Sequence, residues 1–125
     1  MILKNELYKI KDKSVTDKGA TFDIELNDAH FIYQAHFPGE PITPGVCMIQ
    51  IAKELLEETV DCSLQIVKVK NVKFLSVLTP GQSADVTYSI GKIVKDDDGN
   101  IVKAQAVVTS AGEAKAKISF VCTIK

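Results

Sequence analysis

The most informative segment of the sequence is His36-Phe37-Pro38-Gly39-Glu40-Pro41-Ile42-Thr43-Pro44-Gly45-Val46. It places one imidazole beside two Pro-Gly turns, and imidazole is the side chain best suited to proton transfer near neutral pH. The second turn opens a predicted helix, whose N-terminus offers free backbone N–H groups and a positive dipole end to a developing oxyanion. A base held beside an oxyanion site is half of an active site for a thioester. The other half should be an acid early in the helix, and there the chain has Gln50.

The helix is predicted over residues 45–60, where the hydrophobic period changes to that of a helix. One face carries the apolar positions Met48, Ile51, Ala52, Leu55 and Leu56, together with Thr59. The opposite face is a polar stripe made of Gln50, Lys53, Glu54 and Glu57. The sequence therefore predicts one amphipathic helix of about four turns.

The rest of the chain has the pattern of an antiparallel sheet. Residues 20–27 alternate as a half-buried strand, with residues 2–10 as the predicted partner strand and Lys18-Gly19 in the turn. After the helix, strands are predicted over 66–74, 83–94, 101–109 and 115–124, with Asp98-Gly99 as a hairpin signal. Because only one helix is available to cover the dry face of this sheet, the predicted class is α+β, as one domain over 1–125.

Composition excludes several classes of function. The 125 residues are 46% hydrophobic and 25% charged, with a formal net charge of −1, so a nucleic-acid role is not indicated. Three cysteines without metal-ligand spacing fit a reducing compartment. The first residues have no apolar core of a signal peptide, and no apolar run approaches the roughly 18 residues of a membrane span. We expect a cytoplasmic protein.

The opening stretch closely resembles the active-site motif of the FabZ-type 3-hydroxyacyl-acyl-carrier-protein dehydratases. The resemblance extends over residues 20–124, and its other parts are Phe31 to Ala35, Val69 to Phe74, Leu78 to Gln82 and Ala114 to Thr123. It implies the hotdog fold, a curved antiparallel sheet wrapped around one long helix. It also implies a homodimer, often a trimer of dimers, with composite sites that act on a 3-hydroxyacyl chain carried by acyl carrier protein. No cofactor and no metal are expected.

The resemblance assigns roles residue by residue. His36 matches the catalytic histidine, and the backbone at Gly45 and Val46 matches the group that binds the thioester carbonyl. Gln50 stands where the family has Glu or Asp, and an amide cannot lend a proton as a carboxyl can. Glu54, one turn further on, either replaces that acid or belongs to the polar stripe. The residues implied to bind substrate are Phe37, Pro38, Val46 and Phe74.

Three functions follow as hypotheses. The first is a (3R)-hydroxyacyl thioester dehydratase of fatty-acid or related lipid and polyene synthesis. The second is a non-catalytic subunit that binds acyl thioesters and has lost the acid, and the third is a hotdog thioesterase. Lys68 and Lys70 on one strand face, with Lys73, either attract an acidic carrier protein or are simply solvated. His30 is expected in a loop, and Cys47 is expected to be a small packing residue.

Overall fold

The structure is a computed structural model, and it describes residues 2–35, 39, 41–80 and 85–125. The described residues form six strands and two helices. In chain order these are β1 (Tyr8–Thr16), β2 (Gly19–Leu26), α1 (Ile32–Ala35), α2 (Gly45–Val60), β3 (Leu64–Phe74), β4 (Val86–Lys95), β5 (Ile101–Ser110) and β6 (Glu113–Ile124). Within these ranges no helix is both long enough and apolar enough to cross a membrane.

The six strands form one curved sheet with the order β1-β2-β4-β5-β6-β3, and every neighbouring pair is antiparallel. The long helix α2 lies against this sheet and contacts β2, β3 and β4. The predicted α+β architecture, an antiparallel sheet around one helix, is confirmed. β1 and β3 are the two edge strands.

Strand β2 follows its predicted alternation. Phe22 and Ile24 are inward positions of this strand and are fully buried, whereas Thr21 is an outward position and is exposed. The hairpin prediction is also confirmed, because Asp98 and Gly99 lie in the turn between β4 and β5. Gly99 has a φ of 73°, which a residue without a Cβ adopts at little cost.

The prediction for the first strand is wrong in its bounds. The strand runs over Tyr8–Thr16, not over 2–10, and residues 5–7 form a turn. Leu3 and Leu7 are buried, and the backbone N–H of Leu3 bonds to the side chain of Glu54 in α2 instead of to a neighbouring strand. Beyond Tyr8, β1 is an edge strand that is exposed along most of its length, which explains its poor alternation.

Helix α2 has the predicted bounds, but its buried surface is wider than the predicted apolar face. Cys47 and Glu54 are buried in addition to the apolar positions. Glu54 is only 6% exposed, so its assignment to a solvated polar stripe is wrong. Asp61 ends the helix in the left-handed conformation, and its N–H bonds to the carbonyl oxygen of Glu57. The short helix α1 was not predicted.

Strand β3 pairs with β6 through two bulges, one between Ile66 and Lys68 and one between Val69 and Asn71. Lys70 is the extra residue of the second bulge. This second bulge interrupts the regular alternation from which Lys68 and Lys70 were predicted to share a strand face, and it leaves Lys70 without a partner position in β6.

Candidate active site

The N-terminus of α2 begins at Gly45, directly after Pro44. Pro44 has φ −61° and ψ 145° and makes no side-chain capping bond, and its carbonyl oxygen accepts from the N–H groups of Cys47 and Met48 at 3.0 and 3.1 Å. The first N–H groups of a helix have no acceptor within the helix itself. This end of α2 therefore directs the N–H groups of Gly45 and Val46, and the positive end of the helix dipole, toward whatever binds there.

The ring of Phe74 lies directly over Gly45. A Cβ added at Gly45 would lie 2.6 Å from Cζ of Phe74 and 3.0 Å from its Cε2, so only glycine fits beneath the ring in this position. Phe74 is 53% exposed and Val46 is 65% exposed, so this apolar group faces outward. The structure thus brings together three of the residues implied to bind the thioester and its acyl chain: Gly45, Val46 and Phe74.

The segment that leads into α2 is held by two hydrogen bonds that the sequence did not predict. The hydroxyl of Tyr33 in α1 lies 2.9 Å from Oγ1 of Thr43, and the N–H of Thr43 donates to the carbonyl oxygen of Leu78 at 2.7 Å. Tyr33 and Thr43 are both buried, and burial raises the pKa of Tyr33 to about 12. The first bond joins α1, which precedes position 36, to Thr43 within the motif, and the second joins Thr43 to Leu78.

His30 has a structural role in the same region. Its Nδ1 accepts from the N–H of Ile32 at 3.1 Å, and its ring stacks on Phe31 with a centroid distance of 4.7 Å. The expectation of a loop histidine without a role in the motif agrees with this position.

Gln50 lies one turn and a half into α2 and is half-buried. Its Nε2 donates to Oε2 of Glu54 at 2.8 Å. Because a carboxylate can only accept, this bond determines which end of the amide faces Glu54. Gln50 is therefore held by its neighbour on the same helix face.

The carboxylate of Glu54 is the centre of a buried polar cluster. Besides Gln50, it accepts from the N–H of Leu3 and the N–H of Lys4, both at 2.8 Å, and from the hydroxyl of Tyr8 at 3.0 Å. Burial raises the pKa of Tyr8 above its usual value, and the charge of Glu54 raises it further. Both oxygens of Glu54 are thus engaged by donors of its own chain, which ties the first residues to α2.

The remaining site residues of the motif, His36, Phe37 and Pro38, lie outside the described residues. Cys47 is buried, as expected for a packing residue, and burial raises the pKa of its thiol. The partners of Glu54 were missed by the sequence analysis. The available signal was the pair Leu3 and Leu7, two apolar residues four apart in an otherwise polar segment.

Comparison with known proteins gives a family and a fold. The model of the ApeI-like family, described as ApeI dehydratase, matches residues 12–118. The 3-hydroxyacyl-[acyl-carrier-protein] dehydratase FabZ of Rickettsia rickettsii (strain Sheila Smith) is 27% identical over 133 aligned residues, which cover 99% of this chain and 86% of that protein. FabZ of Rickettsia africae is 29% identical over the same coverage.

Among solved structures, the dehydratase heterocomplex ApeI:P from Xenorhabdus doucetiae superposes with a TM-score of 0.66 at 16% identity, over 91% of this chain and 96% of that chain. A hypothetical thioesterase from Streptococcus pneumoniae TIGR4, solved with coenzyme A, superposes with a TM-score of 0.65 at 9% identity, over 94% and 88%. The predicted hotdog fold is confirmed. Because dehydratases and thioesterases share it, the fold by itself does not select the reaction.

Proposed function

The chain belongs to the ApeI-like dehydratase family, and from that premise we propose that it converts 3-hydroxyacyl thioesters into trans-2-enoyl thioesters. The substrate is a (3R)-hydroxyacyl chain on acyl carrier protein, in fatty-acid or related lipid and polyene synthesis. The observation that carries the proposal is the start of α2, where the exposed ring of Phe74 lies over Gly45, beside the first N–H groups of the helix. A thioester carbonyl bound to these N–H groups would place the acyl chain along an apolar surface.

In the proposed mechanism the imidazole of His36 removes a proton from C2 of the substrate. Negative charge develops on the thioester oxygen, where the N–H at Gly45 stabilises it; one such donor contributes roughly 3 kcal/mol of transition-state stabilisation. The C2–C3 double bond forms as the C3–O bond breaks. The imidazolium of His36 returns its proton to the departing hydroxyl, which leaves as water, while the amide of Gln50 orients that hydroxyl through a hydrogen bond.

The absence of a carboxyl at position 50 determines the turnover rate that we expect. Glu54 is the nearest carboxylate along α2, and the N–H groups of Leu3 and Lys4 and the hydroxyl of Tyr8 already occupy its oxygens. We therefore assign Glu54 no proton transfer in this mechanism. General acid assistance contributes about 10²–10⁴ in rate, so we expect slow turnover relative to a site that has a carboxyl at position 50.

The same surface favours a dimer with composite sites. Four apolar residues are each more than half exposed, and they lie at the start of α2, at the end of the edge strand β3 and just after it: Val46, Phe74, Leu75 and Val77. Large exposed apolar groups of this kind are typical of an interface. We propose a homodimer in which His36 of one protomer faces Gln50 of its partner, and light scattering after size exclusion would measure its mass.

The test is an assay of enoyl product with a 3-hydroxyacyl pantetheine thioester, followed by the ultraviolet absorbance of the conjugated product. We expect slow product formation by the unaltered protein, none by His36→Ala, and a rise of at least about tenfold in Gln50→Glu. Equal rates for the unaltered protein and His36→Ala would refute the mechanism. Release of free thiol without enoyl product would show a thioesterase instead.

A second candidate function is an acyl-thioester binding subunit without turnover. The engaged state of Glu54 favours it, because α2 then offers no available carboxylic acid beside Gln50. It predicts saturable binding of a 3-hydroxyacyl pantetheine thioester with no product. Activity that appears only in Gln50→Glu would support this function, and turnover by the unaltered protein would exclude it.

A further inference from the structure

Charge is distributed very unevenly over the sheet. Strands β3, β5 and β6 carry six lysines and one glutamate, a net charge of +5. The rest of the chain carries nine lysines and fifteen acidic residues, a net charge of −6. The nearly neutral total therefore conceals a basic half of the sheet and an acidic remainder.

The strand register places four of these lysines on one face. Lys103 of β5 and Lys68 of β3 both pair with Val121 of β6, so they lie on either side of it. Lys73 of β3 pairs directly with Lys117 of β6, four residues before Val121 and hence on the same face. This is the outer face of the sheet, because the alternate β6 residues, such as Ile118 and Phe120, are buried against the core.

In the described part of the sheet, no acidic residue lies between the lysines of this face, which we define as Lys68, Lys73, Lys103 and Lys117. The positions between its members are Asn71, Gln105, Val107 and Ser119. None of the four lysines forms an ion pair with another described residue. Like charges directly opposite each other on a sheet are destabilising, and nothing among the described neighbours offsets the repulsion between Lys73 and Lys117.

The lysine face adjoins the candidate active site. Lys73 immediately precedes Phe74, and the pair Phe74–Ala116 follows the pair Lys73–Lys117 along the two strands. Successive residues of a strand point to opposite faces, so the lysines lie outside while the ring of Phe74 lies over Gly45. A partner on the lysine face would therefore lie at the rim of the thioester site.

We propose that the lysine face docks the acidic carrier protein that delivers the thioester, which rests on the proposed function. Complementary charge raises the rate of encounter and sets the orientation of a partner. The carrier's negative surface would relieve the repulsion between Lys73 and Lys117. It would also hold the pantetheine arm next to Phe74 and the start of α2.

The experiment compares two substrates with the same acyl chain, one on acyl carrier protein and one on pantetheine alone. The variant is Lys73→Glu/Lys117→Glu, and the matched control is Lys9→Glu/Lys13→Glu on β1, the opposite edge strand, with the same change in net charge. We expect the variant to raise the KM for the carrier substrate about tenfold or more, with unchanged kcat/KM for the pantetheine substrate. The control should change neither value, and added salt should weaken only the carrier reaction.

Equal carrier kinetics in the variant and the control would overturn the docking proposal. Direct titration of holo-acyl carrier protein against the unaltered protein and both variants separates this proposal from the proposed function. If no enoyl product forms but carrier binding is weakened only by Lys73→Glu/Lys117→Glu, the docking surface stands and the dehydratase assignment fails. If the carrier protein does not bind and a polyanion such as RNA does, the lysine face serves a different partner and the proposal is wrong.

Discussion

Nε2 of Gln50 donates a 2.8 Å hydrogen bond to Oε2 of Glu54, one turn further along α2. The amide and the carboxylate therefore act as one unit, in which the carboxylate accepts from Gln50 on one side and from the first residues of the chain on the other. The amide thus stands at position 50, where the family resemblance implies an acid, and the acid lies one turn further on. This arrangement places the charge where it stabilises the fold and the neutral group where the proposed chemistry occurs.

Replacing Gln50 with Glu should make stability depend on pH. The new carboxyl would face the carboxylate of Glu54, which would raise the pKa of residue 50 in the folded chain. A raised pKa contributes stability that is present below the unfolded value, about 4.3, and is lost as pH rises. The free energy of unfolding of Gln50→Glu relative to the unaltered protein should therefore fall as pH rises above about 4.3, as measured by urea denaturation.

The matched control for this prediction is Gln65→Glu, the same chemical change at an exposed position of β3. Without a carboxylate neighbour of this kind, its relative stability should stay nearly constant over the same pH range. An identical pH dependence in both variants would contradict the assigned Gln50–Glu54 contact.

Removing the carboxylate of Glu54 should be costly. Glu54→Ala leaves the N–H of Leu3 and the hydroxyl of Tyr8 without their buried acceptor, and we expect a loss of about 2–4 kcal/mol in the free energy of unfolding. Glu54→Gln retains an acceptor oxygen and should cost less. Trypsin should also cleave after Lys4 faster in Glu54→Ala, because the segment loses its tie to α2.

Glu58→Gln is the control, since Glu58 also bonds to the N-terminal segment but from a more exposed position, through the ammonium of Lys4. Its cost should stay below about 1 kcal/mol. The hydrogen bond with Lys4 lowers the pKa of Glu58, so this contribution is present above the unfolded pKa and is lost as pH falls through the folded value. Similar losses for Glu54→Ala and Glu58→Gln would argue against the buried cluster.

The elements that depend on local signals were predictable from the sequence. The bounds of α2 follow from Pro44-Gly45 and the helical period, and β2 follows from its alternation. The groups that contact Glu54, on the polar side of α2, were not predictable from such local signals. Glu54 meets Leu3 and Lys4 about fifty residues away along the chain, and a helical wheel contains no information on such contacts.

In the candidate site, too, local signals predicted some features, whereas others depend on contacts between distant parts of the chain. The motif predicted Gly45 at the helix start, but the position of Phe74 over it comes from the pairing of β3 with β6 and from the packing of α2 on the sheet. The role of His36 stays a prediction from the motif. The lysine face could not be predicted without the strand register either, because two bulges in β3 determine which lysines lie on it.

The three cysteines should differ in reactivity toward an alkylating reagent. Cys47 and Cys122 are buried, and burial raises the pKa of Cys47 and brings that of Cys122 to about 11, so both thiols stay protonated at neutral pH. Cys62 is partly exposed. Mass spectrometry of the native protein should show one rapid adduct, at Cys62, and three adducts in denaturant. Rapid native labelling of Cys47 would mean that the start of α2 opens to solvent.

Gly45→Ala tests the contact between the helix start and Phe74 without a large cost in stability. Alanine favours a helix more than glycine does, and the ring of Phe74 is exposed enough to move aside, so the free energy of unfolding should change by less than about 1 kcal/mol. The displaced ring and the new methyl group would obstruct the N–H groups of the first turn. We expect kcat/KM for the pantetheine substrate to fall about tenfold or more, because catalysis is sensitive to misplacement of this size. Gly45→Ala/Phe74→Ala should recover part of that loss by restoring the space, whereas strictly additive losses in the double variant would show that the ring and the helix start act independently.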